Sequence, residues 1–234
     1  MRNKPAVLLT VIGVLMFASH AWSQTGFGWH VGPGSLATRT PTRTPIPTPT
    51  PTSPPVNASS DAFQIRYASN LNIGDSVVNI TNAGTQAGTD PVGRICTNVY
   101  VFDPAEEMIA CCACLVTPNG LKSLSARSDL ISNLLTPALP PNSIIIKLLA
   151  TTPANGACDA AAPTAATLAP GMRAWGSTLH ALPTSPVTYG VTETEFSPAV
   201  LSPSELTKLT TDCGFIQTTG SGAGICVACG TGGL

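Results

Sequence analysis

The sequence predicts a mainly β protein: a sandwich-like antiparallel domain with one short C-terminal helix, held together by disulfide bonds. Three observations predict this fold class. Short runs rich in β-branched and aromatic residues recur from about residue 61 onward and are separated by turn residues. Eight cysteines, an even number, lie in the same region. One segment near the C-terminus has the signature of a helix start.

Residues 1–23 have the pattern of a secretory signal peptide. Arg2 and Lys4 precede an uncharged run, and small residues suit cleavage after Ser23, with cleavage after Ala21 as the alternative. The apolar run is shorter than the roughly 20 residues that a membrane-spanning helix needs, so retention as an anchor is the rival interpretation. We expect a secreted protein, extracellular or at the cell surface, with the periplasm as an alternative and no membrane span after cleavage.

Residues 24–60 are predicted to be a disordered N-terminal segment, and residues 38–56 within it alternate proline with threonine. Proline fixes φ near about −65° and removes an amide donor, so this stretch favours extended polyproline II helix and acts as a semi-rigid stalk. Residues 61–234 form the predicted cysteine-bridged domain. The tripeptides that begin at Asn57 and Asn79 match the N-glycosylation pattern, and their use depends on the host.

Seven strands are predicted from the β-rich runs, at residues 63–68, 76–81, 95–102, 108–117, 143–151, 173–181 and 188–196. The clearest hairpin joins the third run to the fourth through a five-residue loop. If Phe102 faces Met108, then Cys96 lies opposite Cys114. Strand alternation then places Cys112 on the face of these residues and of Tyr100, and Cys111 on the face of Val99, Val101 and Ile109. A slip of one residue would reverse every face.

Two segments show no helical or strand period. Residues 152–167 are rich in alanine, proline and glycine and predict a long loop held at Cys158. The tail from residue 218 is rich in glycine and contains Cys226 and Cys229. Without covalent staples such a tail would be disordered.

One helix is predicted to begin at Pro203. Residues 202–205 read SPSE, which is a capping box with proline at the first helical position. Spacings of four and three residues give the helix a buried face, and Gly214 is its expected end. The buried face consists of Leu206, Leu209 and Cys213.

The eight cysteines are the most distinctive group of chemically reactive residues in the sequence: Cys96, Cys111, Cys112, Cys114, Cys158, Cys213, Cys226 and Cys229. Four disulfide bonds are the favoured interpretation in an exported chain, with the connectivity left open. Structural zinc on the clusters at 111–114 and 226–229 is one alternative, and a thioredoxin-like C-x-x-C is another. Export weighs against zinc, and a glycine-rich setting weighs against a redox motif, so no metal or other cofactor is predicted.

Charge and motifs argue against two functional classes. Only 10% of residues are charged, and the basic residues of the domain are scattered singly, which excludes a nucleic-acid binder. No nucleophile motif, phosphate loop or dinucleotide fingerprint is present. His180 is the only histidine of the predicted domain, and Glu193 and Glu195 share one strand face, where paired carboxylates normally form a solvated rim.

Trp175 and Tyr189 offer two interpretations. They could form an aromatic platform for a sugar or a protein partner. Because only 5% of the residues are aromatic, we interpret both as core residues.

Three stretches of the sequence, residues 63–76, 111–120 and 220–226, resemble a family of uncharacterised secreted, cysteine-containing proteins of soil bacteria that has no known activity. The resemblance covers most of residues 61–234, and the stretch C-C-x-C-x-x-T-P-N-G is its most distinctive part. It implies export and a bacterial source. It carries over no ligand, partner or catalytic residue.

The sequence therefore predicts an exported, non-catalytic binding or structural module displayed on a Pro/Thr-rich stalk, with an unknown protein or a surface polymer as its partner. Two alternatives stay open. One is an exported enzyme with a cryptic site near His180, Glu193 and Glu195. The other is self-association into a fibre or coat, which the low charge and unpaired sandwich edges suggest.

Overall fold

The computed structural model describes residues 61–84, 90–135, 140–182, 184, 186 and 188–229. The predicted signal peptide, the stalk at 38–56 and the acceptor tripeptide at Asn57 lie outside the described residues. Within the described ranges, none of the helices has both the length and the apolar character needed to cross a bilayer.

Two antiparallel sheets make up the described part of the chain, which confirms the mainly β, sandwich-like fold class. The first sheet has the order β4-β3-β6-β1-β9 and the second has the order β5-β2-β7-β8. The strands are β1 Phe63–Ala68, β2 Val77–Asn82, β3 Ile95–Phe102, β4 Met108–Val116, β5 Leu121–Ser125, β6 Ile144–Thr151, β7 Met172–Ala181, β8 Tyr189–Glu195 and β9 Ser197–Pro198.

The main core lies between the inner faces of the two sheets. Alternate residues of each strand point inward, for example Val99 and Leu148 from the first sheet and Ile80 and Leu124 from the second. In β3 all eight residues are buried, because the first sheet is covered on its outer face as well. That double coverage explains why apolar residues of β3 do not alternate with exposed polar ones, and its polar residues Thr97 and Asn98 are buried as well.

The helix α1, Pro203–Thr218, covers the outer face of the first sheet. It begins as predicted, with the Ser202 hydroxyl accepting a hydrogen bond from the Glu205 amide at 3.1 Å. The prediction that Gly214 ends the helix is wrong. Ile216 lies three residues beyond Cys213 on the same buried face, and burying it offsets the cost of a helical glycine, about 1 kcal/mol.

Four short elements were not predicted. They are β5, β9, the one-turn π-helix Ala126–Leu130 and the 3₁₀ turn Ala165–Thr167. In β5 only Leu124 is buried, so the segment has almost no apolar pattern, and β9 has two residues, one of them a proline. The loop prediction for residues 152–167 is confirmed, with the 3₁₀ turn at its end.

Four disulfide bonds link the eight cysteines, as predicted: Cys96–Cys158, Cys111–Cys213, Cys112–Cys226 and Cys114–Cys229. The Cα–Cα distances are 5.5, 5.8, 5.4 and 5.0 Å in that order, within the range that disulfide geometry requires. All eight sulfur atoms are bridged in this structure, so none is free to serve as a thiolate ligand or redox thiol.

The β3–β4 hairpin differs from its predicted register by a β-bulge. Phe102 faces Met108 as predicted, but the register shifts between Val101 and Phe102, so that Val101 faces Ala110. Ile109 is therefore the extra residue of the bulge. An extra residue reverses the facing of every position beyond it.

The cysteine faces predicted for this hairpin are wrong for that reason. Cys96 lies opposite Leu115 and not opposite Cys114. Cys112 and Cys114 point into the core between the sheets, whereas Cys111 points to the outer face beneath α1. The adjacent cysteines 111 and 112 thus reach opposite sides of one sheet.

Disulfide mapping tests this facing directly. We expect partial reduction with stepwise alkylation, followed by tandem mass spectrometry, to link Cys111 to Cys213 and Cys112 to Cys226. The straight, unbulged register would place Cys111 inward and Cys112 outward. A map that joins Cys111 to Cys226 would therefore contradict the bulge.

Tyr100 makes the free energy of unfolding depend on pH in the alkaline range. It is fully buried under the loop that precedes β7, and its hydroxyl donates to the Ala160 carbonyl at 2.8 Å. Burial raises the pKa of the Tyr100 phenol far above its usual value, and the charge of Asp159 raises the pKa further. The folded chain therefore keeps a proton that the unfolded chain releases above about pH 10.

We expect the free energy of unfolding to fall above about pH 10, by up to about 1.4 kcal/mol per pH unit from this group. Tyr100→Phe should lose about 1 kcal/mol at neutral pH with its hydrogen bond, and should show a shallower alkaline decline. Urea unfolding across this pH range measures both effects. An equally steep decline in the variant would show that Tyr100 is not the responsible group.

Candidate functional site

The residues of the predicted cryptic enzyme site lie on the β7–β8 hairpin but do not converge. Glu193 lies opposite Ser177, and Glu195 lies opposite Trp175. His180 is an odd number of positions from Ser177 and Trp175, so it belongs to the other face of the sheet. All three candidate residues are exposed. Among the described residues, no group of three or more His, Cys, Asp or Glu side chains is placed to hold a metal ion.

The outer face of the second sheet is the most distinctive surface of the described chain. Val78, Ile80, Ala174 and Gly176 are buried on the inner face, so their alternate neighbours point outward. We call this surface the Trp175 face. Its central, polar part consists of Asn79, Thr81, Ser123, Arg173, Trp175, Ser177, Glu193 and Glu195, all of which are half-buried or exposed. The same alternation places the exposed apolar side chains of Leu121 and Val191 on this face as well, opposite Thr81 and Leu179.

One row of side chains crosses all four strands at the centre of the Trp175 face. The row runs Ser123, Asn79, Trp175, Glu195, because Asn79 pairs with both Ser123 and Trp175, and Trp175 pairs with Glu195. Directly opposed residues have Cβ atoms about 5 Å apart. The indole therefore lies between an amide on one side and a carboxylate on the other.

Most polar groups of this row are not engaged within the described part of the chain. The Ser123 hydroxyl donates to Asn79 Oδ1 at 2.7 Å, which leaves the Asn79 amide hydrogens without a partner there. The Trp175 indole N–H and the Glu195 carboxylate make no hydrogen bond or ion pair with other described residues. A planar aromatic ring surrounded by free donors and acceptors can both stack on a ligand and hydrogen-bond to it.

Tyr189 lies on the same side of the sheet as Trp175, at the far end of the hairpin, where it pairs with Ala181. It is 47% exposed, so the interpretation of Tyr189 as a core residue is wrong. Trp175 is half-buried by its neighbours and also faces outward. Six residues of strand separate the two rows, about 20 Å, so the two aromatic side chains mark out a line along the sheet.

Arg66 holds this face in place from behind. Its side chain lies on the inner face of β1 and is only 8% exposed. The guanidinium donates to the Thr194 carbonyl at 2.9 Å, to the Thr178 hydroxyl at 3.0 Å and also to the Thr194 hydroxyl. Burial lowers the pKa of Arg66, and the charge of Glu193 acts in the opposite direction.

Gly176 is the position that makes room for Arg66. A Cβ atom placed on Gly176 would lie 2.8 Å from Arg66 Cζ and still closer to Nε. Three hydrogen bonds hold the guanidinium, so it is not free to move aside. The residue next to Trp175 must therefore lack a side chain for the first sheet to anchor the β7–β8 hairpin.

A groove of about 530 Å³ at the N-terminal end of α1 is the main concave alternative. Phe102 lies at its base, with Lys147 Nζ 4.6 Å and Lys208 Nζ 5.6 Å from the ring centroid. The ammonium groups are already paired, Lys147 with Glu205 and Lys208 with Asp212. Phe102 itself is only 4% exposed, so the groove offers little unengaged chemistry to a ligand.

Comparison with known proteins finds no family model, no curated protein and no solved structure that matches this chain. The resemblance to secreted proteins of soil bacteria therefore stays a prediction, and the functional argument rests on the geometry of the Trp175 face.

Only part of this site is predicted from the sequence. Alternation along the strand places Glu193 and Glu195 on one face, but no local pattern connects them with Trp175 or marks Ser123 and Arg173 as site residues. Asn79 was noted only as a glycosylation acceptor. The alternation within each strand was a usable signal, whereas the pairing of strands that are distant in sequence was not.

We expect Gly176→Ala to destabilise the domain by about 2 kcal/mol, because the new methyl group would displace the buried Arg66 guanidinium. Gly190→Ala on the same hairpin is the matched control, since its Cβ would meet Leu182 at 3.5 Å, an ordinary contact. Urea unfolding of both variants measures the difference. Equal stability of the two variants would show that Arg66 does not require the glycine.

Proposed function

We propose that the chain is an exported, non-catalytic binding module, displayed on its Pro/Thr-rich stalk, and that the Trp175 face binds a polysaccharide at a cell surface or outside the cell. One observation carries the proposal. A single indole ring lies on an open sheet face among polar side chains that make few contacts within the described chain.

The chemistry of the face favours a polysaccharide over a protein partner. Stable protein interfaces have an apolar core and bury about 800 Å² on each side. Around Trp175 the nearest residues are instead polar, namely Asn79, Ser177 and Glu195. The exposed apolar residues of this face, Leu121 and Val191, lie apart from each other on its two edge strands and form no continuous apolar patch around the ring. Sugar rings present apolar C–H surfaces that pack on an aromatic ring, and hydroxyl groups that hydrogen-bond to amides and carboxylates.

The shape of the face favours a polymer over a small molecule. Small ligands bind in concave sites that enclose most of their surface. The Trp175 face is an open sheet surface, and the line from Trp175 to Tyr189 spans about 20 Å, several sugar units. A polymer can gain affinity from repeated weak contacts along such a line.

Two further features support an exported binder. Four disulfide bonds are typical of proteins that fold in an oxidising compartment. His180 lies on the opposite side of the sheet from Glu193 and Glu195, which gives no support to the enzyme alternative.

The sheet edges favour a binder over a self-assembling fibre subunit. Exposed edges drive assembly when they are long, flat and uncharged. Here the edge strand β8 carries Glu193 and Glu195, and β9 ends at Pro198. The edge of β4 is covered, because the Cys111 amide donates to the Gly224 carbonyl at 2.8 Å.

The test is binding of the oxidised protein to a panel of insoluble polysaccharides, measured as the fraction depleted from solution. We expect Trp175→Ala to bind about tenfold or more weakly, as removal of a central aromatic contact usually does. Phe215→Ala is the matched control, since Phe215 is an aromatic side chain that is 63% exposed on α1, away from the second sheet. Retention by Trp175→Ala, or a similar loss in Phe215→Ala, would contradict the proposal.

A further inference from the structure

The charges of the Trp175 face point to a narrower class of ligand. We infer that the polysaccharide is an amino-sugar polymer with free, protonated amines, an inference that rests on the proposed function. Such a ligand combines a ring that stacks on Trp175 with a cation that meets the carboxylates of β8.

The two carboxylates of β8 are accessible to a ligand. Glu193 and Glu195 are both exposed. Ion pairs within the described ranges join Asp90 to Arg94, Glu205 to Lys147 and Asp212 to Lys208, so neither glutamate forms an ion pair there. The charge of Glu193 does act on Arg66, but that guanidinium is buried behind the strand and is hydrogen-bonded to Thr178 and Thr194. Two carboxylates on one strand face repel each other weakly, and a bound cation relieves that repulsion.

Both carboxylates lie beside the indole ring of Trp175. Glu195 lies directly opposite Trp175 in the register, and Glu193 lies one pair further along, opposite Ser177. The opposed pair Trp175 and Glu195 has Cβ atoms about 5 Å apart, and the diagonal neighbour Glu193 lies about 7 Å from Trp175. An ammonium group on a sugar stacked over the ring would lie near both carboxylates, and the indole attracts a cation as well.

The Trp175 face carries a net negative charge. Arg173 is its single cationic residue, against the two carboxylates. It lies two positions from Trp175 along β7, about 7 Å away and opposite in direction to Ser177 and Glu193. The side of the ring that adjoins β8 is therefore acidic. A polymer of uronic acids would meet like charge there, and a neutral polymer would leave the carboxylates without a partner from the ligand.

The two glutamates alone would also attract any polycation, including a basic peptide. The polar neighbours of the ring distinguish the two ligands. A lysine or arginine side chain can also stack on the indole, but it has no hydroxyl groups to hydrogen-bond to the Asn79 amide. We therefore assign the face to the amino sugar and make the basic peptide an outcome of the test.

The experiment compares two oligosaccharides with the same β-1,4-linked backbone, one with free amines and one fully N-acetylated, by isothermal titration calorimetry at mildly acidic pH. We expect the wild-type protein to bind the free-amine oligomer about five- to tenfold more tightly, as two exposed ion pairs allow. In Glu193→Gln/Glu195→Gln, the two oligomers should bind within about twofold of each other. Trp175→Ala should weaken both, and Phe215→Ala should weaken neither.

The outcomes separate this inference from the proposed function. Equal binding of the two oligomers, or preference for the acetylated one, overturns the amino-sugar assignment and leaves a polysaccharide binder in place. Equal affinity for an oligolysine of the same charge also overturns it, since the face would then be a general acidic surface. Failure of both oligomers overturns the inference, and failure across the whole polysaccharide panel overturns the proposed function itself.

Discussion

Successive side chains of a β-strand point to opposite sides of the sheet, and this constraint organises the covalent framework of the domain. Cys111 and Cys112 are adjacent in β4, so one must face the helix and the other the core. The bulge at Ile109 decides which is which. Cys111 then fastens α1 to the outer face, while Cys112 and Cys114 fasten the glycine-rich tail along the open side of the sandwich.

The tail depends on these bonds because it has no regular secondary structure. Residues 219–229 form no helix or strand, and several of their backbone hydrogen bonds go to other parts of the domain, such as the Val227 amide to the Asp129 carbonyl at 3.0 Å. Bridges with sequence separations of 114 and 115 residues join this segment to β4. A loop of that length contributes about 4 to 5 kcal/mol in the chain-entropy model. The second bridge contributes less, because the first already brings its two cysteines close together.

The local sequence pattern was sufficient to predict most of the strands and the start of the helix. It was insufficient for elements whose existence or end depends on contacts with residues distant in sequence. The bounds of β1 and β3 match the predicted ones, because both runs end at turn residues. By contrast, β9 exists only through its pairing with Gln64 and Ile65 of β1, which no local pattern encodes. The helix start was encoded in the SPSE cap, but its end depended on a tertiary pocket for Ile216.

The same distinction between local pattern and pairing of distant strands applies to the candidate site. Glu193 and Glu195 share a face by simple alternation, so their proximity could be predicted. Trp175 joins them through the β7–β8 register, and Asn79 arrives from a strand almost 100 residues away in sequence, through pairing that is set by packing. The interpretation of Tyr189 as core failed because overall aromatic content says nothing about which side of a sheet a residue occupies.

If the proposed function holds, so that the module is tethered at one end and attached to a surface through β7, the bridge between Cys96 and Cys158 has a mechanical consequence. Tension would enter the domain near residue 61 and leave it near residue 175. The bridge removes 62 residues of sequence from the path that such a pull can extend. At about 3.4 Å per residue, the bridge shortens the fully stretched chain by roughly 200 Å. A pulled molecule would therefore stay short and keep its binding strands close to the anchor.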